Sequence, residues 1–206
     1  MSRIGVLGVG IWGMALAHML SRTDHQVTVW SAIEREIDEF SEKRVHPNLP
    51  GMTIPSEIVF TTDVQAVCSD KDILLFAVPS VFVRSTTHVA APYISEGQII
   101  VDVAKGIEAA TLSTMTDIIR DESTQVGKKA RLVALSGPTH AEEVALDMPT
   151  TIISACDDLE TAEIVQDIFT ITCMRVYTNP DMRGVELCGA MKNIIALAAG
   201  ILLVKG

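Results

Sequence analysis

A chain of 206 residues is long enough for one large domain, or for one domain and the start of another. With 48% hydrophobic and 20% charged residues it has the composition of a folded protein, not a disordered one. A formal net charge of −10 argues against a nucleic-acid partner, because backbone phosphates need a basic surface, yet a few lysines or a helix N-terminus can still hold a phosphorylated small molecule.

Met1-Ser2-Arg3-Ile4-Gly5 runs directly into a strand-like segment, without the charged and apolar regions of a secretory signal. The longest apolar run, Ile194 to Val204, is about half the ~20 residues a bilayer span needs, so no membrane span is expected and a buried helix is the reading. Cys68, Cys156, Cys173 and Cys188 have no CxxC spacing and read as reduced core cysteines of a cytoplasmic protein. His18, His25, His46 and His88 are scattered without ligand spacing, and no metal site is expected.

Apolar, β-rich runs at Ile4–Leu7, Val27–Trp30, Ile58–Thr61, Ile73–Phe76, Ile99–Val103 and Leu132–Leu135 predict strands. Between them, Trp12–Ser21, Ile33–Lys43, Val81–Ala91 and Leu112–Asp121 have helical spacing. Met14 and Met19 read as helix packing, and Val45–Pro55, with Pro47, Pro50 and Pro55, as a stiff surface loop. The strands are apolar throughout instead of alternating, which predicts burial on both faces. The fold class is therefore α/β: a Rossmann-type, doubly wound, mainly parallel sheet covered by helices on both sides. Further on, Thr150–Ser154 predicts a strand, Leu159–Phe169 a helix and Met174–Tyr177 a last short strand. Asn179-Pro180 then breaks the chain, and Asp181 can cap a helix from about Met182 to Val204. That helix is apolar nearly all round and calls for enclosure on every side. It therefore predicts a helical partner outside the chain as given, or self-association, such as a homodimer, through this surface. The expected organisation is a dinucleotide-binding domain over residues 1–180, followed at 181–206 by the first helix of a helical domain.

Gly8-Val9-Gly10-Ile11-Trp12-Gly13 follows the first strand and opens a helix, a GxGxxG within a βαβ unit. Gly8 permits the tight turn, Gly10 lets the backbone approach a pyrophosphate, and Gly13 lets the helix pack on the strand, so the positive helix end faces the phosphates. The second strand ends Val29-Trp30-Ser31-Ala32-Ile33 with neither an acid nor an arginine, while Glu34 and Arg35 come slightly later. The coenzyme is accordingly read as NAD(P). Special residues follow the other strands: Val78-Pro79-Ser80, then Ala104-Lys105-Gly106-Ile107-Glu108, then Ser136-Gly137-Pro138-Thr139-His140-Ala141-Glu142-Glu143. In an open parallel sheet these carboxyl ends converge, so the groups gather beside the glycine loop. Lys192 lies on the apolar helix and must either snorkel to water or be held in a cavity, where a desolvated amine suits proton exchange.

With GxGxWG, VPS, KGIE, SGPTHAEEVA, PTT and NPDMRGVELCGAMKNIIALAAG, almost the whole chain resembles the bacterial-type NAD(P)-dependent glycerol-3-phosphate dehydrogenases. The resemblance implies interconversion of sn-glycerol 3-phosphate and dihydroxyacetone phosphate, serving glycerophospholipid synthesis. It implies cofactor binding by Gly8, Gly10, Ile11, Trp12, Gly13, Ser31, Ala32, Pro79, Lys105 and Ala141. It also implies substrate binding by Lys105, Gly137, Thr139 and Lys192, with Lys192 as the catalytic acid/base. Two departures matter. Family members often place a basic residue after the Trp of strand two, where Ala32 and Ile33 stand here, which tilts the choice towards NAD. The family's helix is usually followed by an Asp-Gly-Leu-Gly-like turn and a large helical domain with an aspartate near the lysine and an Arg-Asn pair at the substrate phosphate. Here the sequence reads Ile201-Leu202-Leu203-Val204-Lys205-Gly206, so the chain by itself is expected to bind cofactor but to be impaired in catalysis. Two other readings stay open: a non-catalytic NAD(P)-binding module, and a dehydrogenase of a small hydroxy acid.

Overall fold

The computed structural model describes residues 1–171 and 173–204; Lys205 and Gly206, the end of the expected second unit, lie outside the described residues. Eight strands, β1 (Arg3–Leu7), β2 (Gln26–Trp30), β3 (Val59–Thr61), β4 (Ile73–Phe76), β5 (Ile99–Asp102), β6 (Arg131–Ser136), β7 (Thr150–Ala155) and β8 (Met174–Asn179), form one sheet in the order β3-β2-β1-β4-β5-β6-β7-β8. The first six run parallel; β7 pairs antiparallel with β6, and β8 parallel with β7. The order 3-2-1-4-5-6 is that of a doubly wound dinucleotide-binding sheet, whose chain direction reverses beside β1.

The apolar strands bury both faces, as expected. On one face Ile4, Val6, Ile73 and Leu75 pack with helices α1 (Ile11–Ser21), α2 (Glu34–Lys43), α6 (Ala141–Ala145) and α7 (Leu159–Phe169). On the other, Leu7, Leu74 and Phe76 pack with α3 (Val64–Cys68), α4 (Val83–Ala90), α5 (Met115–Gln125) and the start of α8 (Met182–Val204). Met14 and Met19 are buried in the first core.

Several sequence expectations need correction. Helix α5 begins three residues later than its periodicity suggested, because Leu112 adopts a left-handed φ of 58° and Thr114 caps the helix by accepting from Asp117 N at 3.4 Å. The five-residue helices α3 and α6 are too short to show a 3.6-residue period. The 45–55 segment is not a surface loop: Leu49, Met52 and Ile54 are buried in the core, and His46 stacks on Phe40. Arg44, itself left-handed, clips the segment's end by donating to the carbonyls of Pro55 and Ile58. Of the four cysteines, Cys68 and Cys156 are core residues, Cys173 is half-buried and Cys188 exposed.

Helix α8 is buried only in part: its first turns dock on the sheet, while Ile194, Ile195, Leu197, Leu202 and Leu203 are exposed, the uncovered apolar surface expected when no partner encloses the helix. By length and composition Met182–Leu203 could cross a membrane, with 11% of its most apolar window buried. The docked half is held by polar contacts. Glu186 Oε1 accepts from Thr116 N at 2.9 Å and Oε2 from Thr116 Oγ1 at 2.6 Å, so a carboxylate of α8 satisfies a free amide in the first turn of α5. Arg183 adds an ion pair to Asp117 at 3.0 Å.

Close to that brace, Asp102 closes β5 fully buried, its Oδ1 accepting from Ala104 N at 3.2 Å. Burial, more than the neighbouring Glu186, pushes its carboxyl well above the usual carboxylate range. An acid that resists ionisation in the folded state favours folding at low pH, and that contribution is lost as pH rises through its folded-state pKa. The variant Asp102→Asn should match the wild type where the carboxyl is protonated and gain over it as pH is raised. Urea unfolding at stepped pH measures the difference, and a gap flat with pH would contradict the assignment.

Candidate active site

The strand register aligns one rim. Leu7 pairs with Trp30 and Phe76, Phe76 with Asp102, and Asp102 with Ala134, so the chain leaves β1, β2, β4 and β5 at one level. On that rim the glycine loop is shaped by what surrounds it. Gly8 sits at φ +119°, a region side chains rarely enter, and a β-carbon there would fall 2.8 Å from Ala77 O. One at Gly13 would lie 2.8 Å from Gly8 O and 2.9 Å from the Ala77 methyl, whereas one at Gly10 would meet nothing within 4 Å. The outer two glycines thus let backbone pack against backbone, while the middle one leaves the mouth of α1 approachable. Gly13 is buried, and its packing sets the path of the loop.

Gly8, Gly10, Ser31, Ala32 and Pro79, all expected at the cofactor, line one cleft of about 750 Å3, a size that suits a nucleotide-bearing ligand. Ile11 lines a shallower depression beside it, with Gly10, Arg35 and His46. Trp12 is half-buried with Lys105 Nζ 6.0 Å from its ring centre. Ala141 opens α6, which packs on α1. Two groups that shape this region were missed in the sequence, one on the wall and one behind it. Glu36 joins the cleft from the first turns of α2, bonded to Ser31. Arg84 is the other: its guanidinium forks onto both oxygens of Glu108, at 2.7 and 2.6 Å, and reaches Glu122 at 2.8 Å. These bonds hold Glu108 down to about 2 and fasten the segment that carries Lys105. The spacings of these pairs, 5, 24 and 38 residues, gave no signal in the linear sequence.

The second cleft, about 440 Å3, is lined by Ser136, Gly137, Gly189 and Lys192. Although β7 and β8 run against the rest of the sheet, β8 ends at Asn179, level through Ala155 and Ala134 with Asp102 on the rim, and α8 then passes the end of β6. Roughly 15 Å of helix separates Met182 from Lys192 at 1.5 Å per residue. Gly189 lets the helix pass: a β-carbon there would lie 2.6 Å from Ser136 Oγ and 3.8 Å from Lys105 Cγ. Lys192 Nζ then donates to Thr139 O at 3.2 Å, and Lys105 Nζ donates to Gly137 O at 3.2 Å. Residues 87 positions apart in the chain bring their amines to a single three-residue turn. Desolvation first, and the charge of Lys192 second, hold Lys105 below the ordinary lysine value. From the sequence, desolvation is expected at Lys192; the group on which it is found is Lys105. Thr139 Oγ1 is buried and has no hydrogen-bond partner among the described residues, an arrangement that costs about 1–3 kcal/mol unless a ligand or water supplies one.

A Rossmann sheet of this strand order with a glycine cradle at its first turn is the architecture of a dinucleotide-binding domain. The family model for the NAD-dependent glycerol-3-phosphate dehydrogenase N-terminus matches residues 3–162, and that for the C-terminus matches 181–206. The chain belongs to this family. It is 63% identical over 203 residues to a glycerol-3-phosphate dehydrogenase [NAD(P)+] of Lactobacillus delbrueckii subsp. bulgaricus, covering 98% of this chain and 60% of that protein. The enzyme of the same description from Agathobacter rectalis is 48% identical, with 98% and 59% covered. The glycerol-3-phosphate dehydrogenase structure of Coxiella burnetii superposes with a TM-score of 0.87 at 30% identity, over 97% of this chain and 60% of that one. The chain thus spans about 60% of the length of these relatives.

If the charge of Lys192 depresses Lys105, then Lys192→Met should raise the Lys105 pKa part of the way back, burial being the larger cause. NMR titration of 13C-methyl-labelled lysines reads this directly. An unmoved Lys105 titration would mean the two amines do not share a field.

Proposed function

We propose that these residues form the dinucleotide-binding part, over 1–180, and the first helix of the substrate part, over 181–206, of an NAD(P)-dependent glycerol-3-phosphate dehydrogenase. The observation that carries the reading is the meeting of Lys105 and Lys192 on the Gly137–Thr139 turn, with Lys105 Nζ also 6.0 Å from the ring of Trp12 in the glycine loop. The relatives described above bear the same activity in their names, and the substrates sn-glycerol 3-phosphate and dihydroxyacetone phosphate enter on that ground.

The glycine loop fits a pyrophosphate by its own shape, since Gly10 faces open space at the N-terminus of α1. The coenzyme, when bound, supplies the hydride chemistry. The chain's own residues then do the rest. The amides of Gly10, Ile11 and Trp12 take the phosphate charge, with Gly8 and Gly13 setting the loop's path. Ser31, Ala32 and Pro79 wall the nucleoside, and Ala141 borders the loop from α6. Lys105, half-buried beside Trp12, offers one cation to coenzyme and substrate alike. Gly137 and Thr139 border the substrate, where the unpartnered Thr139 hydroxyl can bond a substrate oxygen. Lys192 gives a proton to the carbonyl oxygen in reduction and accepts the hydroxyl proton in oxidation. Helix α8 is read as a substrate-domain helix and not a membrane span, because Glu186 is committed to α5 and Lys192 to the rim. A purely non-catalytic binding module would have no use for two amines sharing charge at the second cleft. In the cell the product serves glycerophospholipid synthesis, and the setting is cytoplasmic.

For these 206 residues alone, the reading gives binding without efficient turnover, since α8 is uncovered and binding energy remote from the reacting carbon is what aligns it. The polypeptide should quench its tryptophan fluorescence on adding NADH, with affinity falling roughly tenfold in Lys105→Ala. Its oxidation of NADH with dihydroxyacetone phosphate should run at least ~100-fold below ordinary dehydrogenase rates. Absence of any NADH binding would sink the coenzyme assignment, and turnover at full enzymatic rate would sink the claim of impairment. On light scattering the exposed face of α8 should show as self-association, and a clean monomer at high concentration would count against it.

A further inference from the structure

The wall of the larger cleft carries a carboxylate that neither the glycine motif nor the family likeness requires. Past Trp30 the wall is Ser31, Ala32 and Ile33, and Glu36 then returns to it from α2. Ser31 is 6% exposed, and its hydrogen bonds are committed. Its hydroxyl donates to Glu36 Oε2 at 2.6 Å and accepts from Ile33 N at 3.1 Å, and its amide donates to Thr61 O at 3.3 Å. Glu36 is half-buried and, among the described residues, in no ion pair. Its neighbour Arg35 is exposed and lines the shallower depression, not this cleft.

We propose that Glu36, held by Ser31, makes this cleft select NAD over NADP. The proposal rests on the reading of the cleft as the coenzyme site. The two coenzymes differ only by a phosphate on the adenosine ribose, so the discriminating chemistry is local. A ribose diol offers hydroxyl donors, and a carboxylate is acceptor-only, so the pair is complementary. A 2′-phosphate brings up to two negative charges and only acceptor oxygens. Against this wall it would meet a like charge, a serine proton already donated, and two apolar side chains. Glu39 and Lys43 pair at 2.8 Å, which leaves Glu34 and Asp38 on the first turns of α2 against Arg35, in no ion pair among the described residues. Selectivity here comes as much from the repulsive element as from the attractive one.

Fluorescence of Trp12 and Trp30 follows titration of the chain with NADH and with NADPH. The wild type should bind NADH at least about tenfold more tightly, as expected for a like-charge contact at a partly buried wall. In Glu36→Gln, which keeps shape and the bond to Ser31, the ratio should fall by about tenfold, chiefly through tighter NADPH binding. Ser31→Ala, which releases the carboxylate without removing it, should move the ratio the same way by a smaller factor. Arg35→Ala should leave NADH binding and the preference for it intact. Equal or tighter binding of NADPH by the wild type, or an unchanged ratio in Glu36→Gln with both coenzymes still bound, would overturn the role of Glu36. If the wild type binds neither, the coenzyme reading itself fails and this inference falls with it.

Discussion

Two ammonium groups held near one another repel, and desolvating either makes the repulsion worse. Here Lys105 and Lys192 are nonetheless brought to the carbonyls of one short turn, Gly137 O and Thr139 O. Neutral acceptors satisfy the donors without cancelling the charge, and an anionic ligand is what completes such a site. The rest of the molecule can be understood as the means of enforcing that arrangement. Lys105 comes from the loop after β5, which Arg84 secures through Glu108 and Ser80 crowds at Gly106. Lys192 comes from α8, which follows the end of β8 at the rim's level and passes close to Ser136 at Gly189.

That helix must be anchored without the support of an enclosing core. Glu186 does this by giving both its oxygens to Thr116, one through the amide of the α5 first turn. A buried carboxylate is expensive unless hydrogen-bonded and placed where a helix dipole favours it, and both conditions hold here. Met182 supplies the apolar part of the same junction. Function and stability therefore share residues: the brace that fixes α8 also fixes the distance between the two clefts. Asp102 lies behind this junction, buried at the end of β5, where its preference for the neutral form spares the region a second uncompensated charge.

Much of this was legible in the sequence, for identifiable reasons. Six all-apolar runs predicted a sheet covered on both faces, and Ile73–Phe76 and Leu159–Phe169 appear with the predicted limits. The glycine spacing of the first loop announced its packing, because only glycine fits where Gly8 and Gly13 meet Ala77. The rule that parallel strands gather their carboxyl-end loops placed Lys105 and the Ser136–Thr139 turn together. What stayed hidden was of a different kind. Glu36 is one acid among several on a charged helix, and nothing local marks it as facing the cleft. Arg84 gains meaning only through Glu108 and Glu122, 24 and 38 residues away. The 45–55 segment looked like surface because its prolines speak for irregular backbone, while its buried Leu49, Met52 and Ile54 reveal a packed strap. Enclosure of α8 was inferred from composition, which reports what a helix requires and not what is present to supply it.

The central claim is that one continuous rim holds a dinucleotide at the mouth of α1 and a phosphorylated three-carbon substrate at the paired amines. Backbone and lysine NMR shifts, recorded on addition of NADH and then of dihydroxyacetone phosphate, test it most directly. The account predicts that NADH moves the amides of Gly8 to Gly13 together with Lys105, and that the second addition moves Lys192 and Thr139. Shifts confined to another part of the surface, or a second ligand that moves neither lysine, would contradict it.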